Sequence, residues 1–258
     1  MQQISKIWRF FATAFCFIVF GLSGFLMALL WLPLYRLKYQ DGEARKQACR
    51  YSVHRSFKFF IGLMYWVGVV KVTSNNIEKL ASIKGKIVIS NHPSLIDVVV
   101  LISLIPNANC VVKQALWKNI FTRGILKNTG YLNNATPEKL IDDCRESLQQ
   151  GSNLIIFPEG TRTKPGSPLS FQRGAANLAL RCEANFQRVL IHVSPPALTK
   201  DWPWYRIPPR RIHLDLTVLD EFDIGCYLQD NISLSVRQLT RDLQQLFTKE
   251  LAHFDSSG

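Results

Sequence analysis

The fold class follows from one stretch, IVISNHPSLIDVVVLISLI at residues 87–105. Its first three residues are apolar and β-branched, as in a short buried strand. A polar turn follows, and the longer apolar run at residues 98–105 is typical of a helix packed against a sheet. The stretch therefore predicts a strand, a turn and a helix in succession, with His92 at the turn between them.

Short β-branched runs alternate with amphipathic segments along the rest of the chain. They predict strands at residues 87–90, 110–113, 153–157, 189–193 and 212–219. A helix is expected to begin at Thr136-Pro137-Glu138, which supplies a cap, a proline in the first turn and an acid on the helix dipole, and to end at Gly151. A last helix begins near Ser235. This alternation predicts an α/β domain over residues 73–258, with a mixed sheet flanked by helices.

The N-terminal quarter is apolar and predicts membrane-embedded helices over residues 1–72. Residues 10–34 contain no charged side chain, and about 20 helical residues suffice to cross a bilayer core. A second apolar run at residues 59–70 is too short to span alone, so it should lie in one leaflet or pack on the domain. A single crossing, a hairpin that dips in and returns, and a cleaved signal peptide are the alternatives.

The net charge of +12 is concentrated around these apolar runs. Basic residues beside apolar segments are typical of proteins that meet an anionic lipid leaflet. Their larger excess after residue 34 predicts that the following domain lies on the cytoplasmic side, and we expect the inner (cytoplasmic) membrane of a bacterium. Helix-turn-helix, RNP and zinc-finger patterns are absent from the sequence, so nucleic acid is not an expected partner.

Cysteine and histidine spacings predict neither a metal nor a disulfide framework. The six cysteines form no C-x-x-C pair, and the five histidines form no H-E-x-x-H or other ligand spacing. We therefore expect no metal and no resident cofactor.

A candidate base and a carboxylate, His92 and Asp97, lie five positions apart. A neutral imidazole, with a reference pKa of about 6.5, can accept a proton from an alcohol. Asp97, in the first helical turn, can reach the other ring nitrogen, fix its tautomer and stabilise the imidazolium. Alternatively, Ser94-Leu95-Ile96-Asp97 is a capping box in which the carboxylate only satisfies a helix end. From the residues alone, the two interpretations are equally supported.

A second run, FPEGTRT at residues 157–163, ends a predicted strand with a polar turn. Gly160 lets the backbone approach a ligand, and Arg162 can bind phosphate oxygens bidentately. Lys113, at the end of another predicted strand, can add a point charge. The alternative is an ordinary charged turn in which Glu159 pairs with Arg162.

Together, in this order and spacing, the two runs resemble those of the lysophosphatidic acid acyltransferase family of membrane-bound glycerolipid acyltransferases. The resemblance covers roughly residues 84–196. It implies that His92 and Asp97 form a catalytic dyad and that the FPEGTR block contacts the acyl acceptor, through Glu159, Gly160, Thr161 and Arg162. It further implies acyl transfer from a thioester co-substrate, acyl-ACP (acyl carrier protein) or acyl-CoA, to the free hydroxyl of a lysophospholipid in a phospholipid membrane.

The chain departs from the family pattern at two points. Many members carry a glycine-led segment ending in an arginine that helps hold the acceptor phosphate, whereas residues 130–134 here read GYLNN. The later block, usually built around a single proline, reads IHVSPP at residues 191–196, where we expect His192 to be a buried strand residue. An aromatic and basic loop follows at residues 200–211. It either lies on the membrane interface, receives an acidic carrier protein or simply connects two elements.

Two rival functions follow from these departures. The first keeps the chemistry but uses a non-phosphate acceptor, as in specialised lipid or aryl-polyene-type biosynthesis. The second is a non-catalytic membrane module that binds phospholipid through Lys113 and Arg162. The intact His92 and Asp97 argue against the second.

Overall fold

The computed structural model describes residues 2–228 and 231–256 and begins with two long helices. Helix α1 (Gln2–Leu26), a π-helical turn (Met27–Trp31) and α2 (Leu32–Lys38) form one continuous helical segment. Asp41 then caps α3 (Gly42–Trp66) by accepting the backbone N–H groups of Glu43 and Ala44. Within the described residues, the segment from Ser5 to Lys38 is the one helix long and apolar enough to cross a membrane, judged by length and composition.

A seven-stranded mixed sheet forms the centre of the molecule, in the order β1-β7-β6-β2-β5-β3-β4. The strands are β1 (Val70–Asn75), β2 (Ile87–Ser90), β3 (Ala108–Val112), β4 (Leu132–Asn133), β5 (Asn153–Ile156), β6 (Phe186–Ser194) and β7 (Ile212–Phe222). Only β6 and β7 pair antiparallel. Strands β2, β3 and β5 therefore end at the same edge, where ligands usually bind in open α/β sheets.

Helices cover both faces of the sheet. They are α4 (Glu78–Ser82), α5 (Asp97–Leu104), α6 (Gln114–Lys118), α7 (Ile120–Thr129), α8 (Pro137–Gln149), α9 (Gly174–Cys182), a 3-10 turn (Gly225–Tyr227) and α10 (Ile232–Ser256). Along β2, Val88 packs into a core shared with α1, α3 and α5. Its neighbours Ile87 and Ile89 pack into a second core with α8, α9 and α10. This alternation places the N-terminal helices and the α9–α10 pair on opposite faces of the sheet.

The predicted fold class is confirmed, and the predicted strands are present with shifted ends. Residues 110–113 were expected as a strand, whereas β3 runs from Ala108 to Val112, so Lys113 follows the strand. Strands β1 and β4 were not predicted, because β1 is a polar edge strand and β4 has only two residues.

The second apolar run contributes to the end of α3 and to the start of β1. Phe60 and Met64 are buried against the domain, whereas Phe59 and Trp66 project outward, Trp66 with 85% of its surface exposed. The run therefore packs on the domain with one face and leaves an apolar face open. The division of the chain at residue 72 stays a prediction.

Buried Arg50 fastens α3 to the sheet. Its guanidinium donates to the backbone oxygen of Thr129 (2.9 Å), to Asn107 Oδ1 (2.9 Å), to Ser152 and to Glu43 Oε1 (3.0 Å). A buried charge is tolerated only with such complete pairing. The network fixes the first half of α3 beside the amino ends of β3 and β5.

Candidate active site

His92 lies in the loop directly after β2, at the carboxyl edge of the sheet. Its Nδ1 hydrogen-bonds Asp97 Oδ2 at 2.9 Å, and its ring stacks on Phe157 with 4.2 Å between centroids. Because a carboxylate accepts the Nδ1 proton, we assign the neutral tautomer in which Nε2 is the unprotonated nitrogen. The side chain is 15% exposed and lines an open cavity. His92 is thus oriented as a proton acceptor.

Asp97 begins α5 and is fully buried. Its Oδ2 also accepts the backbone N–H of Ser94 at 2.7 Å, while the Ser94 hydroxyl donates to the backbone oxygen of Ala197 instead of capping the helix. One oxygen therefore serves both roles considered from the sequence, since it caps the turn and holds the imidazole. Burial raises the pKa of Asp97, and the hydrogen bonds from His92 and Ser94 and the charge of Arg162 oppose that rise.

Glu159 is buried beside this pair and does not form the ion pair with Arg162 that the alternative interpretation of the turn required. Its Oε1 accepts the backbone N–H of His92 at 2.8 Å, while its buried Oε2 has no hydrogen-bond partner among the described residues. Burial raises the pKa of Glu159 from 4.5 to about 7; the nearby Asp97 raises it too, and the His92 N–H lowers it. Glu159 thus fixes the backbone that carries the imidazole.

The rest of the FPEGTR block forms a turn between β5 and α9. Gly160 has a φ of +67°, a left-handed conformation that favours glycine, and Thr161 is exposed. Half-buried Arg162 donates through Nη1 to the backbone oxygens of Leu198 (2.8 Å) and Thr199 (3.0 Å). Arg162 therefore holds the segment after β6 against the site.

Lys113 is exposed just beyond β3, at the same edge of the sheet as His92 but separated from β2 by β5. Beside it, Asn134 Oδ1 accepts the backbone N–H of Gln114 at 3.1 Å. The asparagine segment thus lies next to Lys113, where the family pattern would place an arginine. The structure brings His92, Asp97, Glu159 and Arg162 together and leaves Lys113 at the margin.

The cavity at His92 has a volume of about 640 Å³. Besides His92 and Glu159, its walls include Thr199 and His192, and Thr248 from α10. His192 was expected to be buried, but it is only half-buried because its side chain faces this cavity. The contribution of α10 was not predicted, since nothing local in its sequence reveals which cavity it borders.

Asn91 is a further positioning residue that the sequence analysis missed. Its side chain donates to the backbone oxygen of Ile191 (2.7 Å) and accepts the Ile191 N–H (2.8 Å). This pair of bonds extends the contact of β2 with β6 into the loop. An asparagine directly after a buried strand was the available signal.

A second, apolar cavity of about 370 Å³ lies on the other side of the segment after β6. Helices α1, α3 and α5 form its walls through residues such as Phe17, Phe60 and Val99, and Ala197 borders both cavities. The two cavities therefore lie on either side of Ala197.

The aromatic and basic loop at residues 200–211 packs on α1. Trp204 contacts the rings of Phe10 (5.9 Å between centroids) and Phe17 (5.6 Å), and Arg9 donates to the backbone oxygen of Pro209 at 2.8 Å.

Among the described residues, no group of three or more His, Cys, Asp or Glu side chains is arranged to hold a metal ion.

Comparisons with known proteins identify acyltransferases among the similar sequences. A family model described as Acyltransferase matches residues 71–197. A 1-acyl-sn-glycerol-3-phosphate acyltransferase from Helicobacter pylori is 33% identical over 129 residues, 46% of this chain and 54% of that protein. A putative 1-acyl-sn-glycerol-3-phosphate acyltransferase from Caenorhabditis elegans, acl-2, is 28% identical over 76% of this chain and 70% of that protein.

A solved structure shares the fold over nearly the whole chain. The crystal structure of the 1-acyl-sn-glycerophosphate acyltransferase PlsC from Thermotoga maritima matches with a TM-score of 0.71 and 17% identity, covering 98% of each chain. The sequence match to the Helicobacter pylori enzyme spans about half of that protein's length. By its motifs and these relatives, the chain resembles the lysophosphatidic acid acyltransferase family of glycerolipid acyltransferases, and it shares the fold of PlsC.

Proposed function

We propose that this protein is a membrane-bound O-acyltransferase that moves a fatty acyl group from a thioester, acyl-ACP or acyl-CoA, to the free hydroxyl of a lysophospholipid such as lysophosphatidic acid. The observation that carries the proposal is the 2.9 Å hydrogen bond between buried Asp97 and His92 at the wall of an open cavity. Nucleophile–base pairs of hydrolases need a serine or cysteine, whereas here the acceptor hydroxyl itself is the attacking group.

The reaction follows from the orientation of His92. Nε2 takes the proton of the acceptor hydroxyl as its oxygen attacks the thioester carbonyl. The carbon–sulfur bond then breaks, and the leaving thiolate takes the proton back from Nε2. Asp97 holds the tautomer and stabilises the transient imidazolium, and general-base assistance of this kind contributes about 10²–10⁴-fold.

The apolar cavity supplies a place for the acyl chain. Its walls from α1, α3 and α5 are almost wholly hydrocarbon, and it reaches Ala197 at the border of the catalytic cavity. Burial of each methylene there contributes about 0.8 kcal/mol. A long acyl chain is thereby held with its carbonyl near His92.

Membrane association rests on the outer surfaces of α1 to α3. They expose large apolar side chains such as Trp8, Leu37 and Trp66. A continuous exposed apolar surface on a folded protein marks a contact with a membrane or with another protein. Aromatic and basic side chains of the loop at residues 200–211 border the same surface. We place the domain on the cytoplasmic side of a bacterial inner membrane, from the distribution of basic residues.

A second candidate keeps the chemistry but changes the acceptor. Asn133 and Asn134 lie where an arginine would help hold a phosphate, and Arg162 Nη1 is already bonded to backbone oxygens. A site with fewer arginine or lysine side chains free to bind phosphate suits a non-phosphate acceptor, as in specialised lipid or aryl-polyene-type biosynthesis.

The test offers purified protein an acyl-ACP or acyl-CoA donor with a panel of hydroxyl acceptors and identifies the products by mass spectrometry. We expect esterified lysophosphatidic acid. Acylation of a phosphate-free acceptor alone would favour the second candidate. Vesicle binding without consumption of either thioester, under conditions where the protein is folded, would instead support a non-catalytic phospholipid-binding module.

A further inference from the structure

Helices α9 and α10 enclose a groove of about 330 Å³ on the face of the sheet opposite to α1 and α3. Arg173, Asn177 and Arg181 lie along the first wall, and Ser233 and Arg237 lie on the second. The three arginines are exposed. The groove is therefore a basic surface that the bilayer-facing helices do not cover.

Among the described residues, no acidic side chain lines this groove, and within residues 2–228 and 231–256 none of the three arginines forms an ion pair. Arg181 Nε donates a hydrogen bond to Asn177 Oδ1 at 3.1 Å. Three exposed guanidinium groups along one groove create a positive potential over this surface. Such a surface is complementary to an anionic partner.

The groove is linked to the catalytic cavity along one side of α10. Arg237 and Thr248 are eleven residues apart, which is about three helical turns and about 16 Å. They therefore point in nearly the same direction, with Arg241 one turn beyond Arg237 on the same side. Since Thr248 lines the cavity at His92, the arginines and the cavity lie along the same side of α10.

We infer that the groove between α9 and α10 docks a small acidic carrier protein that presents the acyl thioester on a flexible phosphopantetheine arm. The inference rests on the proposed function and names the partner that delivers its donor. The arm would run along α10 from the arginines to the cavity. The other basic loop, at residues 200–211, is tied to α1 by Trp204 and Arg9, so it faces the lipid side.

The experiment compares the Arg173→Glu/Arg237→Glu double variant with the wild-type protein and with Arg210→Glu as matched control. Arg210 is an exposed arginine of the loop at residues 200–211. Full-length protein in detergent is titrated with acyl-ACP and, separately, with acyl-CoA, and binding of labelled acyl-ACP is followed by fluorescence anisotropy independently of turnover. Arg237→Gln removes the positive charge without adding a negative one, so it shows whether the introduced glutamates disturb the local structure.

We expect the double variant to raise KM and Kd for acyl-ACP by about tenfold or more, with kcat and the acceptor KM unchanged, because charge reversal mainly slows encounter. Arg237→Gln should show a smaller rise, and added salt should weaken wild-type binding more than that of the double variant. Arg210→Glu should match the wild-type protein.

Three outcomes would overturn the docking site: an unchanged Kd for acyl-ACP in the double variant, a rise seen with Arg210→Glu instead, or an equal loss with acyl-CoA, which would indicate a site for a small phosphate-bearing donor. Failure of the proposed function is distinguishable, because it would abolish thioester turnover in the wild-type protein while leaving the binding titration readable.

Discussion

Two histidine–aspartate pairs among the described residues differ in their burial, in the distance between the two side chains and in their surroundings. His92 and Asp97 meet at 2.9 Å across a turn, with the carboxylate fully buried. His213 and Asp215 lie on the same side of β7 at 3.5 Å, with side chains 41% and 28% exposed. The hydroxyl of Thr73 on the neighbouring strand donates to Asp215 and contacts the ring of His213.

The difference shows that proximity alone does not make a catalytic dyad. Residues two apart on a strand share a face automatically, and an exposed pair is weakened by water and salt. The His92–Asp97 pair combines a fully buried carboxylate with a ring stacked on Phe157 at the carboxyl edge of the parallel strands, whereas Asp215 is 28% exposed. We therefore expect the two pairs to respond very differently to the same substitutions.

The largest effect is expected from Asp97→Asn compared with Asp215→Asn. The first keeps the shape of the site but no longer accepts the Nδ1 proton as a carboxylate does, so kcat should fall by about 10²–10⁴-fold, up to the whole contribution of His92. The second should leave kcat within about twofold. Steady-state acyl transfer measures both, and similar losses in the two variants would remove the distinction between the pairs.

Glu159 gives the next effect, through the dependence of stability on pH. Since burial raises its pKa from 4.5 to about 7, the folded state holds a proton that the unfolded state has released across this window. The free energy of unfolding should therefore fall as pH rises from about 4.5 through 7, by about 1–3 kcal/mol more in the wild-type protein than in Glu159→Gln.

Denaturation in detergent at pH 5 and pH 8 measures this difference, and Glu221 is a control whose contribution stays constant between these two pH values. Its hydrogen bond from Lys86 lowers its pKa, so its contribution is present above the unfolded pKa and is lost as pH falls. If the free energy of unfolding changes equally with pH in the wild-type protein and in Glu159→Gln, Glu159 is not protonated in the folded state.

The smallest effect is expected from substitutions that test whether Glu159 holds the His92 backbone or binds the acceptor. Glu159→Ala leaves the buried His92 N–H without its acceptor, which costs about 1–3 kcal/mol, so kcat should fall by roughly tenfold while the acceptor KM stays constant. Glu159→Gln retains an acceptor oxygen and should recover most of the rate. A raised acceptor KM in both variants, with kcat preserved, would mean that Glu159 binds the acceptor instead.

Sequence patterns predicted the parts of this site that are local. The strand, turn and helix around His92 follow from apolar runs on either side of a polar turn, and the carboxyl edge of the sheet gathers the FPEGTR block with them. The bond from His92 N–H to Glu159 joins residues 67 positions apart, and no local pattern specifies such a contact.

Long-range packing also explains why β1, the exposure of His192 and the partners of Arg162 were not predicted from the sequence. Residues 70–75 form the edge strand β1, whose polar outer face gave no strand pattern. His192 faces the cavity because α10 returns across the sheet to line it. Arg162 was expected to reach substrate, yet its bonds to Leu198 and Thr199 could be found only once the segment after β6 had been placed.

The account depends on His92 acting as the proton acceptor, and His92→Ala measures this most directly. With acyl thioester and acceptor both saturating, and with unchanged binding of acyl-ACP as proof of a folded protein, kcat should fall by at least about 10²–10⁴-fold. An unchanged kcat in this variant would contradict the mechanism and leave the His92–Asp97 pair with a structural role alone.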